Sequence, residues 1–158
     1  MITIRELANA DISAVKKLAV NSEQVKFVGT IEELLSEKVS GWNYHVIIFN
    51  EQIVGFLNID TEYSDRYPFT IRDELGLRAF FVNSENQGKG YGKAAVAALQ
   101  SFLKEVYPER KSIALTVNCK NSGAYKCYLS GGFKDSGELY DGGKAGPQHI
   151  MRMELGST

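Results

Sequence analysis

Ile2 and Ile4 alternate with Thr3 and Arg5, the two-residue period of a short opening β-strand. The period then lengthens. Asp11 stands as N-cap to a helix whose apolar face is Ile12, Val15, Leu18 and Ala19. Thr30-Ile31-Glu32-Glu33 has the capping-box form and opens a second helix through Leu34, Leu35 and Val39, stopped by Gly41. The segment Ser22 to Gly29 between them fits neither period.

Tyr44 to Phe49 and Ile53 to Ile59 are β-rich runs joined through Asn50-Glu51-Gln52, a hairpin. Thr61 to Asp73 is polar, contains Pro68, and is a loop long enough to carry function. Leu75 to Val82 is the next strand. Ala95, Leu99, Phe102, Leu103 and Val106 then fall at helical spacing until Pro108 ends the pattern. Ser112 to Val117 returns as a strand, so strand, helix and strand form a crossover unit with its strands parallel. Asn121 to Ser130 is a helix closed by Gly131-Gly132. Phe133 to Leu139 and His149 to Leu155 are a last strand pair around the loop Tyr140 to Pro147.

This order predicts one α+β layered domain over residues 1–158. Its mixed sheet is antiparallel early and parallel across the central crossover. A net charge of -1 argues against binding nucleic acid by phosphate neutralisation. No apolar run reaches the ~18 residues that would span a bilayer, and no signal peptide is visible at Met1 to Glu6. Cys119 and Cys127 make neither a disulfide framework nor a zinc site, and read as reduced thiols in a cytoplasmic protein. No metal is expected.

The chemistry gathers at Phe80-Phe81-Val82 and the following Asn83 to Ala95, where Gly88, Gly90 and Gly92 lead into the long helix. A glycine loop between a strand and a helix N-terminus turns backbone N–H groups toward a phosphate or pyrophosphate. A Walker loop fails, because Lys93 is followed by Ala94 rather than Ser or Thr. Gly90-x-Gly92-x-x-Ala95 formally matches a dinucleotide fingerprint. However, the next strand ends Thr116-Val117-Asn118-Cys119 without the carboxylate a ribose needs.

Gln87-x-x-Gly90-x-Gly92 after a strand ending in Val82 resembles the pyrophosphate loop of the GCN5-related N-acetyltransferases. Asn121-x-x-Ala124, then Tyr128 and Gly132-Phe133, resembles that family's second motif. The two motifs and the element order cover nearly the whole chain. The resemblance implies a mixed sheet of about six to seven strands flanked by about four helices. It implies acetyl-CoA as co-substrate, its pantetheine arm paired with the backbone at Phe80, Phe81 and Val82. Its pyrophosphate would be held by N–H groups from Gln87, Gly88, Lys89, Gly90, Tyr91, Gly92 and Lys93. Asn121 would bond the pantetheine region, and Tyr128 would stand beside the sulfur.

Acetyl transfer to an amine needs the amine deprotonated, the oxyanion stabilised and the departing thiolate given a proton or strong hydrogen bond. A phenol, with a pKa of ~10, suits the last task. Tyr128 is therefore the expected general acid, with Tyr125 its rival one turn earlier. Some family members carry a glutamate on the strand before the loop, at a position that is Gly76 here. Glu74, on the same strand face as Gly76 and Arg78 by simple alternation, is the candidate base, either directly or through water; it could also pair with Arg78. His45 and His149 lie in separate strands and read as structural.

The acceptor side offers Glu23, Glu32, Glu33, Asp60, Glu62, Asp65, Asp73 and Glu74. An acidic lining suits a cationic amine of polyamine or aminoglycoside type, and Ser22 to Val28 looks similar to bacterial spermine/spermidine acetyltransferases. A protein or peptide amine is the second acceptor class. A non-catalytic acyl-CoA sensor is the alternative of a different kind. Family members often dimerise, and the terminal strand pair is the candidate interface.

Overall fold

The computed structural model describes residues 1–18, 35–36, 38–82, 90–143 and 146–156. The expected capping box at Thr30, the Ser22 to Gly29 segment and the loop residues Gln87, Gly88 and Lys89 lie outside these. A mixed sheet of seven strands carries the chain: β1 (Ile2–Glu6), β2 (Trp42–Phe49), β3 (Gln52–Asp60), β4 (Leu75–Val82), β5 (Ser112–Asn118), β6 (Lys134–Tyr140) and β7 (Gln148–Glu154). Their spatial order is β1-β2-β3-β4-β5-β7-β6, antiparallel except for the parallel pair β4 and β5. The described helices are α1 (Ile12–Lys16), α2 (Tyr63–Arg66), α3 (Tyr91–Val106) and α4 (Ser122–Gly131).

The sheet is covered on both faces, so its central strands are apolar on both sides. Ala95, Val96, Leu99 and Leu103 of α3 pack on one face with Ile47, Leu57, Leu75, Ile113 and Met151. Val15 and Leu18 cover the other, against Val46, Phe56, Ala79 and Phe81. α4 closes tightly onto α3 because two of its contacts have no side chain to spare. A Cβ at Gly131 would lie 2.2 Å from Val96 Cγ1, and one at Gly92 would lie 3.2 Å from Cys127 Sγ.

Three expectations are refined. Asp11 stands at the N-cap position of α1 but makes no side-chain cap bond there. It ends a 3-10 turn (Asn9–Asp11), where its carboxylate accepts the Ala8 N–H at 2.8 Å and a fork from Arg5 at 2.6 and 2.9 Å. The hairpin after β2 turns on two residues, not three. Asn50 and Glu51 both have positive φ (49° and 68°), and Phe49 pairs with Gln52, the twist-matched geometry of a short hairpin. The 61–73 loop holds α2, and Arg110 staples its two ends by donating to the carbonyls of Thr61 and Asp73 at 3.1 Å each.

Candidate functional site: a cleft between two diverging strands

β4 and β5 pair only at Leu75–Ile113 and Gly76–Ala114. Beyond Gly76, β4 stays with β3 as far as Val82, while β5 stays with β7 as far as Asn118. The two parallel strands therefore part beyond Gly76 and Ala114.

The divergence starts at a β-bulge. Ala79 pairs with Asn58 and Leu77 with Ile59, so Arg78 has no residue opposite it. An extra residue reverses the alternation of a strand. Leu75 and Leu77 accordingly lie in the α3 core, whereas Ala79 and Phe81 lie in the α1 core. The expectation that Glu74, Gly76 and Arg78 share one uninterrupted face stops at this bulge.

Between the lips lies a cavity of about 310 Å³. Leu77, Arg78 and Phe80 line it from β4, Thr116, Val117 and Asn118 from β5, and Asn121, Ala124 and Tyr128 from α4 and its N-cap. Tyr63, Tyr67 and Tyr140 close it on the side of the 61–73 segment.

The Tyr128 ring is wedged edge-on between Phe80 (centroids 5.7 Å apart) and Phe133 (5.7 Å). Two such contacts fix the plane of the ring and the position of its hydroxyl. Burial, then the neighbouring Cys127, pushes that hydroxyl well above the ordinary tyrosine range. Tyr125 faces elsewhere: its hydroxyl donates to Asp135 Oδ2 at 2.7 Å, and its ring meets His149 at 4.4 Å. Asn121 is the N-cap of α4, its Oδ1 accepting the Ala124 N–H at 3.3 Å. The cap uses the carbonyl end of the amide.

At the far end of β4, Gly90 takes the left-handed conformation (φ 81°) and opens α3, its carbonyl accepting the first intrahelical bond from Ala94 at 3.0 Å. The first-turn N–H groups of Tyr91, Gly92 and Lys93 precede that bond and have no acceptor within the 16-residue helix. No acidic side chain stands in this turn. The Tyr91 ring packs on Phe49 at 4.7 Å, which leaves its backbone for the loop.

Glu74 does not reach the cleft. It is 1% exposed, accepts from Arg152 Nε at 2.5 Å and Nη2 at 3.1 Å, and also accepts from the Ser112 hydroxyl at 2.8 Å and the Ile71 N–H at 3.2 Å. Its partner is Arg152 rather than Arg78. It ties the start of β4 to β5 and β7 where those strands are still joined, so the expectation of a base here is replaced by a structural clamp.

The acids expected on the acceptor side are also largely engaged. Asp60 is buried and paired with Arg66, and Glu62 accepts the Ser40 hydroxyl at 2.6 Å. Asp65 and Asp73 are exposed outside the cleft. Glu23, Glu32 and Glu33 lie outside the described residues. Among the described lining residues, the one charged group is Arg78.

The sequence reading missed Arg78, Tyr63 and Tyr67 as cleft residues. Arg78 Nη1 donates to the Tyr67 hydroxyl at 2.5 Å, and the guanidinium lies over the rings of Trp42 (5.2 Å), Tyr63 (5.8 Å) and Tyr67 (5.3 Å). The concentration of aromatic residues around Pro68 (Tyr63, Tyr67, Phe69) was the available signal.

Comparison with known proteins agrees with this geometry. The model of the acetyltransferase (GNAT) family matches residues 14–133. The chain is similar to the spermine/spermidine N(1)-acetyltransferase of Bacillus subtilis (strain 168), 27% identical over 142 residues that cover 87% of this chain and 91% of that protein. It is also similar to the uncharacterized N-acetyltransferase YbbJ of the same strain, 28% identical over 130 residues, covering 77% and 78%. In structure it resembles the aminoglycoside acetyltransferase AAC(6')-Ib in complex with coenzyme A (TM-score 0.78, 19% identity, 98% of this chain and 95% of that one). It likewise resembles the spermidine N-acetyltransferase from Vibrio cholerae in complex with CoA and spermine (TM-score 0.72, 18% identity, 98% and 95%). With three quarters of its length matched by the family model, and with strands that part beside a glycine-led helix, the chain belongs to the acetyltransferase (GNAT) family.

Proposed function

We propose that this protein is an acetyl-CoA-dependent N-acetyltransferase acting on a primary amine of a small cationic molecule, within one domain spanning the chain. The observation that carries the reading is the parting of β4 from β5 beside the first turn of α3. An acyl-pantetheine arm is extended and carries two amides. The lip of a strand that has parted from its neighbour can bond such an arm as an added strand. In this reading the backbone at Phe80, Phe81 and Val82 holds the arm. The N–H groups of Gln87, Gly88, Lys89, Gly90, Tyr91, Gly92 and Lys93 take the pyrophosphate, helped by the positive end of α3. Asn121, its carbonyl committed to the helix cap, offers its amide N–H groups to the arm.

The reaction is a direct displacement. The amine nitrogen attacks the thioester carbonyl carbon, the new C–N bond forms, and the C–S bond breaks with its electron pair leaving on sulfur. The amine proton passes to water, since no carboxylate or imidazole lines the cleft among the described residues. Tyr128 donates its hydroxyl hydrogen bond to the sulfur. Its upward shift keeps the phenol protonated and makes it a persistent donor.

The acceptor reading rests on relatives named for spermine, spermidine and aminoglycosides. We place the activity in the cytoplasm, where the two free cysteines are stable as thiols. The reading includes a homodimer through the β6–β7 edge.

The test is release of free CoA from acetyl-CoA across a panel of amines, with acetyl-CoA and NAD compared in a thermal-shift assay. Stabilisation by acetyl-CoA with CoA release on at least one amine of the panel is the expected result. Stabilisation without release from any amine favours the sensor; stabilisation by NAD alone overturns the reading.

A further inference from the structure

We infer that the acceptor carries an anionic group, a carboxylate in the simplest case, which docks on Arg78 while its amine faces the thioester. The inference rests on the transferase reading but departs from its polyamine and aminoglycoside acceptors, which carry no negative charge, toward a basic amino acid or peptide, the second acceptor class.

Arg78 is the residue that the β4 bulge turns out of the ladder, and it lies in the cleft wall where β4 and β5 part. Three rings and one hydroxyl hold its guanidinium, and none of them neutralises it. Among the described residues no carboxylate lies within ion-pair distance of it, although Asp60 and Glu74 each take another arginine nearby. A half-buried guanidinium with no carboxylate beside it among the described residues favours a ligand that supplies one.

The geometry suits that ligand. Aromatic faces restrain a guanidinium in its plane without using its N–H donors, and a single bond to Tyr67 uses only one of the five. The remaining donors form the planar fork that matches a carboxylate in two parallel bonds. The anionic end of acetyl-CoA belongs in this reading at the α3 N-terminus, at the other end of the cleft strand. Arg78 therefore serves the acceptor. A simple polyamine would instead bring ammonium groups past a cation that no described carboxylate offsets.

Pairs of amines that differ only by a carboxylate decide the matter: lysine against cadaverine, and ornithine against putrescine. The quantity read is the ratio of kcat/KM values within each pair, for the wild type and for Arg78→Gln and Arg78→Lys. We expect the wild type to favour the carboxylate-bearing partner by about ten- to a hundredfold, the worth of a charge-assisted pair. Arg78→Gln should bring the ratio close to one, mainly through KM of the acceptor, and Arg78→Lys should restore part of it. KM for acetyl-CoA should stay the same in all three, which also reports that the variants are folded. A wild-type preference for the simple diamine, or a ratio that Arg78→Gln leaves unchanged, overturns the inference and leaves the transferase reading standing. Absence of CoA release with every amine overturns both.

Discussion

The ring of Tyr63 fills the space that a side chain at Gly76 would occupy: a Cβ built there lies 2.1 Å from both Cδ1 and Cγ of the ring. Gly76 is also the last residue of β4 paired with β5. A glycine on the last rung before the strands part thus admits an aromatic ring from α2 into the cleft wall. The same contact explains why a carboxylate cannot project from this position.

Gly76→Ala should therefore destabilise the protein by about 1–3 kcal/mol, the usual cost of overpacking a filled site. Denaturant midpoints would measure it. The double variant Tyr63→Ala with Gly76→Ala should lose less than the two single losses added, because the neighbours share one volume. Strict additivity would show that the ring yields freely.

Tyr128→Phe keeps the ring between Phe80 and Phe133 and removes only the hydroxyl. Loss of the donor should lower kcat by roughly 10²-fold or more while KM for acetyl-CoA holds. Burial raises the hydroxyl's pKa, so its neutral donor form persists above the ordinary tyrosine value of about 10. The kcat profile of the wild type should accordingly show no basic loss from this group below about pH 10. A full-activity Tyr128→Phe enzyme would remove Tyr128 from the reaction.

Glu74→Gln separates clamp from base. The variant leaves Arg152 facing a neutral amide across a buried site and should cost about 3 kcal/mol of stability. Measured per folded molecule, its kcat should stay within about threefold of the wild type, far from the 10²–10⁴-fold loss of a missing base. Arg152→Met should be at least as destabilising, since it leaves the Glu74 carboxylate buried with only Ser112 and Ile71.

Asp11 gives a pH signature. Its side-chain bonds with Arg5, followed by the Ala8 N–H, lower its pKa from 3.8 to about 2. A carboxyl depressed in the folded state contributes stability that is present above the unfolded pKa and lost as pH falls through the folded one. The gap in melting temperature between wild type and Asp11→Asn should thus be full near neutrality and close between about pH 4 and pH 2. A gap unchanged across that window would place the effect of Asp11 elsewhere.

Local periodicity was enough to read the order of the strands and of the two long helices α3 and α4, and the β4 and α3 boundaries within a few residues. These features are written in neighbouring residues: alternation marks a strand, 3.6-residue spacing marks a helix, and glycine marks where backbone must approach something closely. The place of Tyr128 in the cleft was implied by the resemblance of Asn121 to Phe133 to the family's second motif. What distant parts of the chain do to one another was not legible. The bulge at Arg78 leaves no local mark, because one unpaired residue appears only when β3 is laid beside β4. That single residue reverses the strand's faces and turns a surface-like arginine into the cleft's charge. Glu74 likewise stood close in sequence to the expected base position, but Arg152, 78 residues away, took its carboxylate. Sequence fixes the period of each element; only the packed sheet decides which face, which partner and which side of a cleft each residue receives.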